Sequence, residues 1–463
     1  MFYRRIILSL REWAKSQHRK PLVLRGARQV GKTTVVEEFA KEFDTFLHLN
    51  LERKADKKVF EANDSPEDVL TAIYLLKNKE RKQGRVLLFI DEIQTSPKAV
   101  ALLRYFYEEL PELFVIAAGS LLETLIDRHI SFPVGRVEYL ALRPCSFSEF
   151  LGAIGEEQIK NKLLSVELPS AIHERVMKLF NEYVLVGGMP EVVAWYAEKR
   201  DIVALRKVYD TLLNGYRDDV EKYASNKTEA NVLRHILKNG WRYAGQRIKF
   251  ECFGESNYKS REVGEAFRTL EKAMILELAY PTVSTDLPLS PDLKKSPKLL
   301  WLDTGIVNYV AKNQLELFGI QDISEHWKGK IAEHIVGQEL LATNESVSAQ
   351  RNFWVREARN SQAELDFVLQ TDTQLLPVEV KSGHNSKIKS IHLFMEQTKG
   401  DLAIRFWNNP FTKDIVKLPS GKTYTLLNIP FYYTECLGKI VKENKIFPLN
   451  LGNDFSFGNI DKE

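Results

Sequence analysis

The stretch PLVLRGARQVGKTTVVEEF places a glycine-rich turn between a short apolar run and a helical pattern. Gly26 and Gly31 allow the backbone N–H groups of such a turn to close on phosphates, and the following helix N-terminus adds partial positive charge. Lys32 is placed to reach the β- and γ-phosphates, and the Thr33 hydroxyl is placed to bind Mg²⁺. The order of strand, loop and helix therefore predicts an α/β fold with ATP and Mg²⁺ as cofactors, and a purely structural glycine turn is the alternative. The predicted nucleotide-contacting residues of the loop are Gly26, Ala27, Arg28, Gln29, Val30, Gly31, Lys32, Thr33 and Thr34.

An acidic pair follows a second apolar run in RVLLFIDEIQ, residues 85–94. Five apolar residues ending at Ile90 are typical of a central strand in a parallel sheet. Asp91 and Glu92 follow at the carboxyl end, which is the edge at which doubly wound sheets bind ligands. Asp91 suits the Mg²⁺ shell, and Glu92 suits the base that polarises the attacking water. The alternative is that the acidic pair caps the next helix.

A third apolar run, LFVIAAGS, predicts another central strand that ends at Ser120, where a side chain would sense the γ-phosphate. Arg128 and Arg136 follow as candidates for the arginine that stabilises charge on the transferred phosphoryl group. A role for Arg136 across a subunit interface predicts a homo-oligomer. Solvated surface arginines are the alternative for both positions.

These motifs together resemble a bacterial and archaeal family of AAA+-like ATPases, the AAA_14 and DUF4143 type. The resemblance rests on GARQVGKTT, LLFIDEIQ, AAGS, VGRVEYLALRPCSFSEFL and VGGMPE in this order, and it extends over most of the chain. It implies a doubly wound parallel sheet with a helical lid, and Walker roles for Lys32, Thr33, Asp91 and Glu92. Ser120 departs from the asparagine that many AAA+ proteins carry at the sensor position.

The motifs divide the 463 residues into four predicted regions. These are a P-loop core over 1–145, a helical lid over 146–205, a winged helix-turn-helix over 206–325 and a nuclease-like α/β domain over 326–463. The formal charge of +3 neither requires nor excludes nucleic acid. Three dispersed cysteines suit a reducing compartment, and the longest apolar stretches are too short to cross a bilayer, so we expect a cytoplasmic protein without membrane contact.

The predicted winged helix consists of two amphipathic helices and a basic hairpin. The second helix has an apolar face at Val263, Phe267 and Leu270. DNA phosphates are the expected partners of the basic side chains, and packing or self-association is the alternative. These basic residues are Lys259, Arg261, Arg268 and Lys272 on the second helix, and Lys294, Lys295 and Lys298 in the hairpin.

The stretch AELDFVLQTDTQLLPVEVKSG predicts two neighbouring strands that carry Asp366 and then Glu379 with Lys381. Residues two apart on a strand face the same way, so Glu379 and Lys381 project together, and Asp366 on the adjacent strand adds a second carboxylate. Two carboxylates suit Mg²⁺, Lys381 suits charge on a scissile phosphate, and Glu333 on the preceding helix suits the metal shell. This set resembles that of the PD-(D/E)xK nucleases. An exposed hairpin with an ordinary salt bridge, or a domain that binds without cutting, is the alternative.

The sequence as a whole predicts a DNA-directed ATPase with a fused Mg²⁺-dependent nuclease-like domain. A signalling-type nucleotide switch, whose C-terminal domain binds a partner without cleavage, is the alternative function.

Overall fold

The computed structural model of the protein describes residues 2–119, 135–311, 329–357, 363–381 and 388–443. The first sheet contains five strands that are all parallel, in the order β2-β3-β4-β1-β5. The P-loop follows β1, and the acidic pair closes β3, so both lie at the carboxyl edge of the sheet. The strands are β1 (Leu22–Arg25), β2 (Thr45–Asn50), β3 (Val86–Asp91), β4 (Phe114–Gly119) and β5 (Glu138–Ala141).

Helices cover both faces of this sheet, as the doubly wound fold predicted. Leu22 and Leu24 pack with the first two helices on one face, whereas Val23 packs with the next three helices on the other. This alternation follows from the two-residue period of a strand. The helices are α1 (Ile6–Lys15), α2 (Lys32–Phe39), α3 (Lys54–Ala62), α4 (Pro66–Leu76) and α5 (Pro97–Glu109).

Six helices follow the core, and the first four span the predicted lid. Ser146 begins the first of them with a capping box, in which its side chain and that of Glu149 each accept a backbone N–H. Gly187, with φ 71°, and Pro190 separate the third helix from the fourth. The helices are α6 (Phe147–Ala153), α7 (Glu157–Leu164), α8 (His173–Val186), α9 (Pro190–Lys199), α10 (Arg206–Asp218) and α11 (Val220–Tyr223).

The next elements, in the region predicted to be a winged helix, are two longer helices and a three-stranded sheet. Helices α12 (Lys227–Asn239) and α13 (Ser260–Lys272) accompany a three-stranded sheet, whose first strand lies between them and in which β9 (Lys298–Trp301) pairs antiparallel with two strands. Those strands are β6 (Gln246–Arg247) and β7 (Leu276–Ala279), and helix α14 (Thr304–Val310) follows the sheet.

The C-terminal region is a mixed seven-stranded sheet in the order β14-β15-β13-β12-β11-β10-β8. Its edge strand β8 (Pro281–Thr282) lies in the hairpin between β7 and β9 and pairs with β10, so the hairpin is attached to this sheet. The helix and strands predicted around the acidic hairpin are confirmed. The remaining elements are α15 (Lys330–Ala342), β10 (Asn352–Val355), β11 (Glu364–Gln370), β12 (Leu375–Val380), α16 (Lys389–Met395), β13 (Leu402–Trp407), β14 (Thr412–Lys417), β15 (Thr423–Pro430) and α17 (Leu437–Glu443).

Buried carboxylates attach the C-terminal region to the lid. Glu339 accepts the Phe147 N–H at 3.2 Å and the Tyr183 hydroxyl at 2.6 Å, and Glu435 accepts the Ser148 N–H at 2.9 Å. The first-turn N–H groups of α6 thus receive acceptors from elements that are distant in the sequence. Over the described ranges, no helix has both the length and the apolar character that crossing a bilayer requires.

Candidate functional site

The P-loop adopts the backbone conformation that its glycines permit. Gly31 has φ 91°, a left-handed value, and directly precedes α2. A Cβ at Gly26 would meet the Leu142 carbonyl oxygen, so this position accepts no side chain. The Lys32 ammonium is buried and donates to the carbonyl oxygens of Gly26 and Ala27, each at 2.9 Å. Burial lowers the Lys32 pKa to about 8, against the opposing influence of Glu92 and Asp91.

The acidic strand end lies against the P-loop helix. The Thr33 hydroxyl donates to Asp91 Oδ2 at 2.8 Å, which joins the two residues predicted to bind Mg²⁺. His48, on the neighbouring strand β2, has Nε2 4.0 Å from the same oxygen, and burial lowers the His48 pKa. Glu92 has φ 53° and accepts the Gln94 side-chain amide, so it turns away from the strand direction immediately after Asp91.

Helices α10 and α11 contact the P-loop from outside the predicted core. Arg28 forms an ion pair with the buried Asp219, and the Tyr216 hydroxyl donates to the Arg28 carbonyl oxygen at 3.2 Å. Lys222 pairs with Glu52 at 2.7 Å, just beyond β2. Asp219 was not predictable from the sequence, because it lies 191 positions from Arg28 and belongs to no local motif.

Several buried polar atoms around the nucleotide site have no hydrogen-bond partner within the described part of the chain. Such atoms are costly unless a ligand or water satisfies them. Their concentration beside the P-loop and the acidic pair suits a polar occupant such as a nucleotide with its cation and waters. They are Gln29 Oε1, His48 Nε2, Gln94 Oε1, Asp219 Oδ2 and the Tyr223 hydroxyl.

Of the predicted sensor residue and the two candidate arginine fingers, only Arg136 lies among the residues that the structure describes. Ser120 and Arg128 lie outside the described residues. Arg136 precedes β5, whose first residue Glu138 is in register with Leu22 at the start of β1. Arg136 therefore lies at the amino edge of the sheet, opposite the P-loop, and pairs with Glu108 at 2.9 Å. This position is inconsistent with contact to a nucleotide in its own chain. The role across an interface stays a prediction, and a surface arginine paired with Glu108 stays its alternative.

The C-terminal cluster brings together the predicted Asp366, Glu379 and Lys381. Asp366 accepts the Val380 N–H at 2.7 Å across the two strands, and the Lys381 ammonium pairs with Glu379. Glu379 is only 3% exposed, so the alternative of an ordinary salt bridge on an exposed hairpin is wrong for this residue. Its second oxygen, Oε2, is buried and has no hydrogen-bond partner among the described residues.

Lys298 also belongs to this cluster, which corrects its predicted contact with DNA phosphates. Its ammonium lies 2.6 Å from Glu333 Oε1 and 2.8 Å from Glu364 Oε1, and it is 3% exposed. Because Lys298 is buried, it cannot contact nucleic acid at the surface. Its charge is already compensated by the two carboxylates. Glu364 was not predicted either, although it lies two residues before Asp366 on one strand and hence on the same face.

The carboxylates do not fit a metal as they stand. Burial raises the pKa values of Glu333 and Glu379, and Lys298 and Lys381 respectively oppose these shifts. Among the residues that the structure describes, no three acidic, histidine or cysteine side chains are arranged to hold an ion. In this conformation the predicted metal ligands have lysine ammonium groups as their nearby cations. Glu333 pairs with Lys298, and Glu379 pairs with Lys381.

Helix α13 exposes both basic and acidic side chains, Glu265 among the latter. Its apolar residues Val263, Phe267 and Leu270 are buried, as predicted, whereas Lys259, Arg261 and Arg268 are exposed. Arg261 pairs with Glu265 yet remains 86% exposed at its side chain. In the hairpin, Lys295 pairs with Glu357 and Lys298 is buried, whereas Lys294 is exposed.

The five-stranded parallel sheet, the P-loop and the acidic end of β3 define a P-loop ATPase fold of the AAA type. The N-terminal part of the chain has the fold of an AAA+-like P-loop ATPase, and the C-terminal region is of the DUF4143 type. The family described as an AAA domain matches residues 18–151, and a domain of unknown function, DUF4143, matches residues 328–430. A second domain of unknown function, DUF8612, matches residues 177–317. The fold of the first match implies nucleotide binding.

Solved structures with a similar fold include a Walker-type ATPase of Pyrococcus abyssi, at 15% identity and a TM-score of 0.45, over 67% of this chain and 96% of that chain. AMPPCP-bound DnaA from Aquifex aeolicus is similar at 14% identity and a TM-score of 0.26, over 59% and 90% of the respective chains. The Aeropyrum pernix ORC1 protein in complex with DNA is similar at 13% identity and a TM-score of 0.26, over 68% and 92%. Comparison with curated proteins gives no match.

Proposed function

We propose that the protein binds ATP with Mg²⁺ at the P-loop and hydrolyses it. The hydrogen bond from Thr33 to Asp91 carries this proposal, because it joins the two residues that would hold the cation. Lys32 would exchange its carbonyl partners for the phosphates, and Glu92 would accept a proton from the attacking water. The bound cation would neutralise charge on the β- and γ-phosphates.

Glu92→Gln tests the hydrolytic role. We expect MgATP affinity to remain and phosphate release to fall about 10²- to 10⁴-fold, because the amide cannot accept the proton. Glu109→Gln, on the exposed end of α5, is the matched control and should retain full turnover. Unchanged phosphate release in Glu92→Gln would exclude Glu92 as the base.

We further propose that DNA is the macromolecular partner, bound through the exposed basic side chains of α13. Lys259, Arg261 and Arg268 support this proposal, because they are exposed opposite a buried apolar side and carry the charge that phosphates attract. Arg268→Glu should weaken duplex binding and reduce its salt dependence, measured by fluorescence anisotropy at two salt concentrations. Lys58→Glu, on the exposed surface of α3, is the charge-matched control. Equal binding by both variants would place DNA elsewhere or exclude it.

Cleavage of DNA by the C-terminal region is a second candidate function. The juxtaposition of Asp366, Glu379 and Lys381 on neighbouring strands favours it. Asp366→Ala should abolish cutting in Mg²⁺ or Mn²⁺ and leave ATP turnover intact, since the two sites lie in separate sheets. A protein that hydrolyses ATP but cuts no single-stranded, duplex or branched DNA would instead act as a nucleotide switch whose C-terminal region only binds.

A further inference from the structure

Four carboxylates converge in the C-terminal cluster and face two lysines. Glu333 comes from α15, Glu364 and Asp366 from β11, and Glu379 from β12. Lys381 belongs to the same region and pairs with Glu379, but Lys298 comes from β9 of the winged helix. Lys298 thus comes from a strand outside the seven-stranded sheet that carries the other cation, Lys381.

The environment of Lys298 is built around its ammonium group. Two carboxylate oxygens lie at 2.6 and 2.8 Å, and the Phe353 ring lies with its centroid 4.6 Å away. Aromatic faces attract cations, and a buried ammonium must be paired to be stable. The hairpin that carries Lys298 is also held by its backbone, since Pro281 of β8 is in register with Phe353 of β10.

A second observation indicates that the cluster is not complete without a further group. Glu379 Oε2 is buried and finds no partner in the described ranges, although Glu379 Oε1 pairs with Lys381. Leaving a buried carboxylate oxygen unpaired is unfavourable, so a cation or water at this position would lower the free energy. The carboxylates nevertheless form no metal-binding arrangement within the part of the chain that the structure describes, because lysines hold them.

We propose that the Lys298 ammonium is the resident cation of this cluster, and that it excludes a divalent cation as long as the hairpin is docked. Two like charges in one buried cluster repel, so the ammonium and the divalent ion compete for the same carboxylates. Withdrawal of the hairpin would remove Lys298 and free Glu333 and Glu364. The cation-dependent chemistry proposed for this site, on which the inference rests, would then depend on the position of the winged helix.

The hairpin is connected to the lid in a way that suits such control. Strand β9 leads to Asp303, which is fully buried and accepts the Gly188 N–H at 2.6 Å. Gly188 lies between α8 and α9 of the lid. The lid also holds α15 through Glu339, so a lid movement would separate Lys298 from Glu333 only by acting unequally on these two attachments.

Mn²⁺ binding to the full-length, nucleotide-free protein tests the inference without relying on activity. Lys298→Met keeps the length and apolar stem of the side chain and removes its charge. We expect this variant to bind one Mn²⁺ per chain at least about tenfold more tightly than the parent, measured from the electron paramagnetic resonance signal of free Mn²⁺. Addition of Asp366→Asn should remove the gained site, which assigns the ion to the cluster.

Lys295→Met is the matched control on the same hairpin, because Lys295 pairs with Glu357 outside the cluster. Lys298→Gln provides a second route if Lys298→Met does not fold, because its amide can still donate to Glu333 and Glu364 but carries no charge. We expect tighter Mn²⁺ binding in this variant too.

Equal Mn²⁺ affinity in the parent and in folded Lys298→Met, or no Mn²⁺ site in either, would overturn the inference. If Lys298→Met gains the Mn²⁺ site and still cuts no DNA, the resident-cation inference stands and the proposal of cleavage fails. The two proposals are therefore separable in one set of preparations.

Discussion

The buried Lys32 ammonium should make nucleotide affinity depend on pH above neutrality. Burial lowers its pKa from 10.5 to about 8 in the free protein. A shift of this size corresponds to a cost of about 3 kcal/mol for keeping the charge. Phosphates placed beside Lys32 would favour the charged form and raise its pKa again. Binding therefore favours a protonated Lys32, and in the free protein the proton is mostly present only below pH 8.

The direction and size of the change in MgATP affinity follow from the difference between the Lys32 pKa in the free protein and in the nucleotide complex. Near pH 7 and below, most of the free protein carries the charge, and affinity for MgATP should be nearly constant. At pH 9 about nine-tenths of Lys32 is neutral, so the apparent affinity should fall about tenfold, or about 1.4 kcal/mol. Proton uptake on binding should rise over the same range. Isothermal titration calorimetry from pH 7 to 9, in two buffers of different ionisation enthalpy, measures both quantities.

Lys32→Arg is the control for this prediction. The guanidinium remains charged throughout the range, so its affinity, whatever its absolute value, should not vary with pH. Circular dichroism at pH 9 establishes that the parent protein remains folded. A dissociation constant that changes by less than about twofold from pH 7 to 9 would refute the argument from burial.

Three further outcomes follow from the described contacts. Tyr183→Phe removes the hydroxyl that donates to Glu339 at 2.6 Å, and it should lower the free energy of unfolding in urea by about 1–3 kcal/mol. Gly26→Ala adds a Cβ against the Leu142 carbonyl oxygen, so thermal unfolding should show a loss of about 1–3 kcal/mol together with weaker MgATP binding. Arg136→Ala should reduce ATP turnover only in assembled protein, with assembly measured by light scattering and turnover by phosphate release. If the parent protein is monomeric with and without ATP, Arg136 is only a structural partner of Glu108.

Much of the fold was predictable because its signals are local. The P-loop at Gly26 and the apolar run ending at Ile90 are contiguous patterns that determine a strand, a turn and a helix start. The period of two in a strand likewise places Glu379 and Lys381 on one face by their spacing alone. These elements appear where the sequence predicted them.

Contacts between distant segments were not predictable in the same way. Asp219 pairs with Arg28 across 191 positions, and Lys298 reaches Glu333 from a hairpin that was expected to meet DNA. A lysine in a polar loop has the same sequence pattern whether it contacts solvent, phosphate or a buried carboxylate. Packing alone determines which of these partners it meets.

The sequence by itself determined the nucleotide loop, the acidic strand end and the order of secondary structure, because backbone conformation and hydrophobic periodicity act over a few residues. The tertiary structure decided which charges meet. It placed Arg136 at the edge of the sheet opposite the P-loop, and it placed Lys298 among the carboxylates of the C-terminal region. Electrostatic partners depend on distances between elements, and those distances exist only once the sheets and helices have packed together.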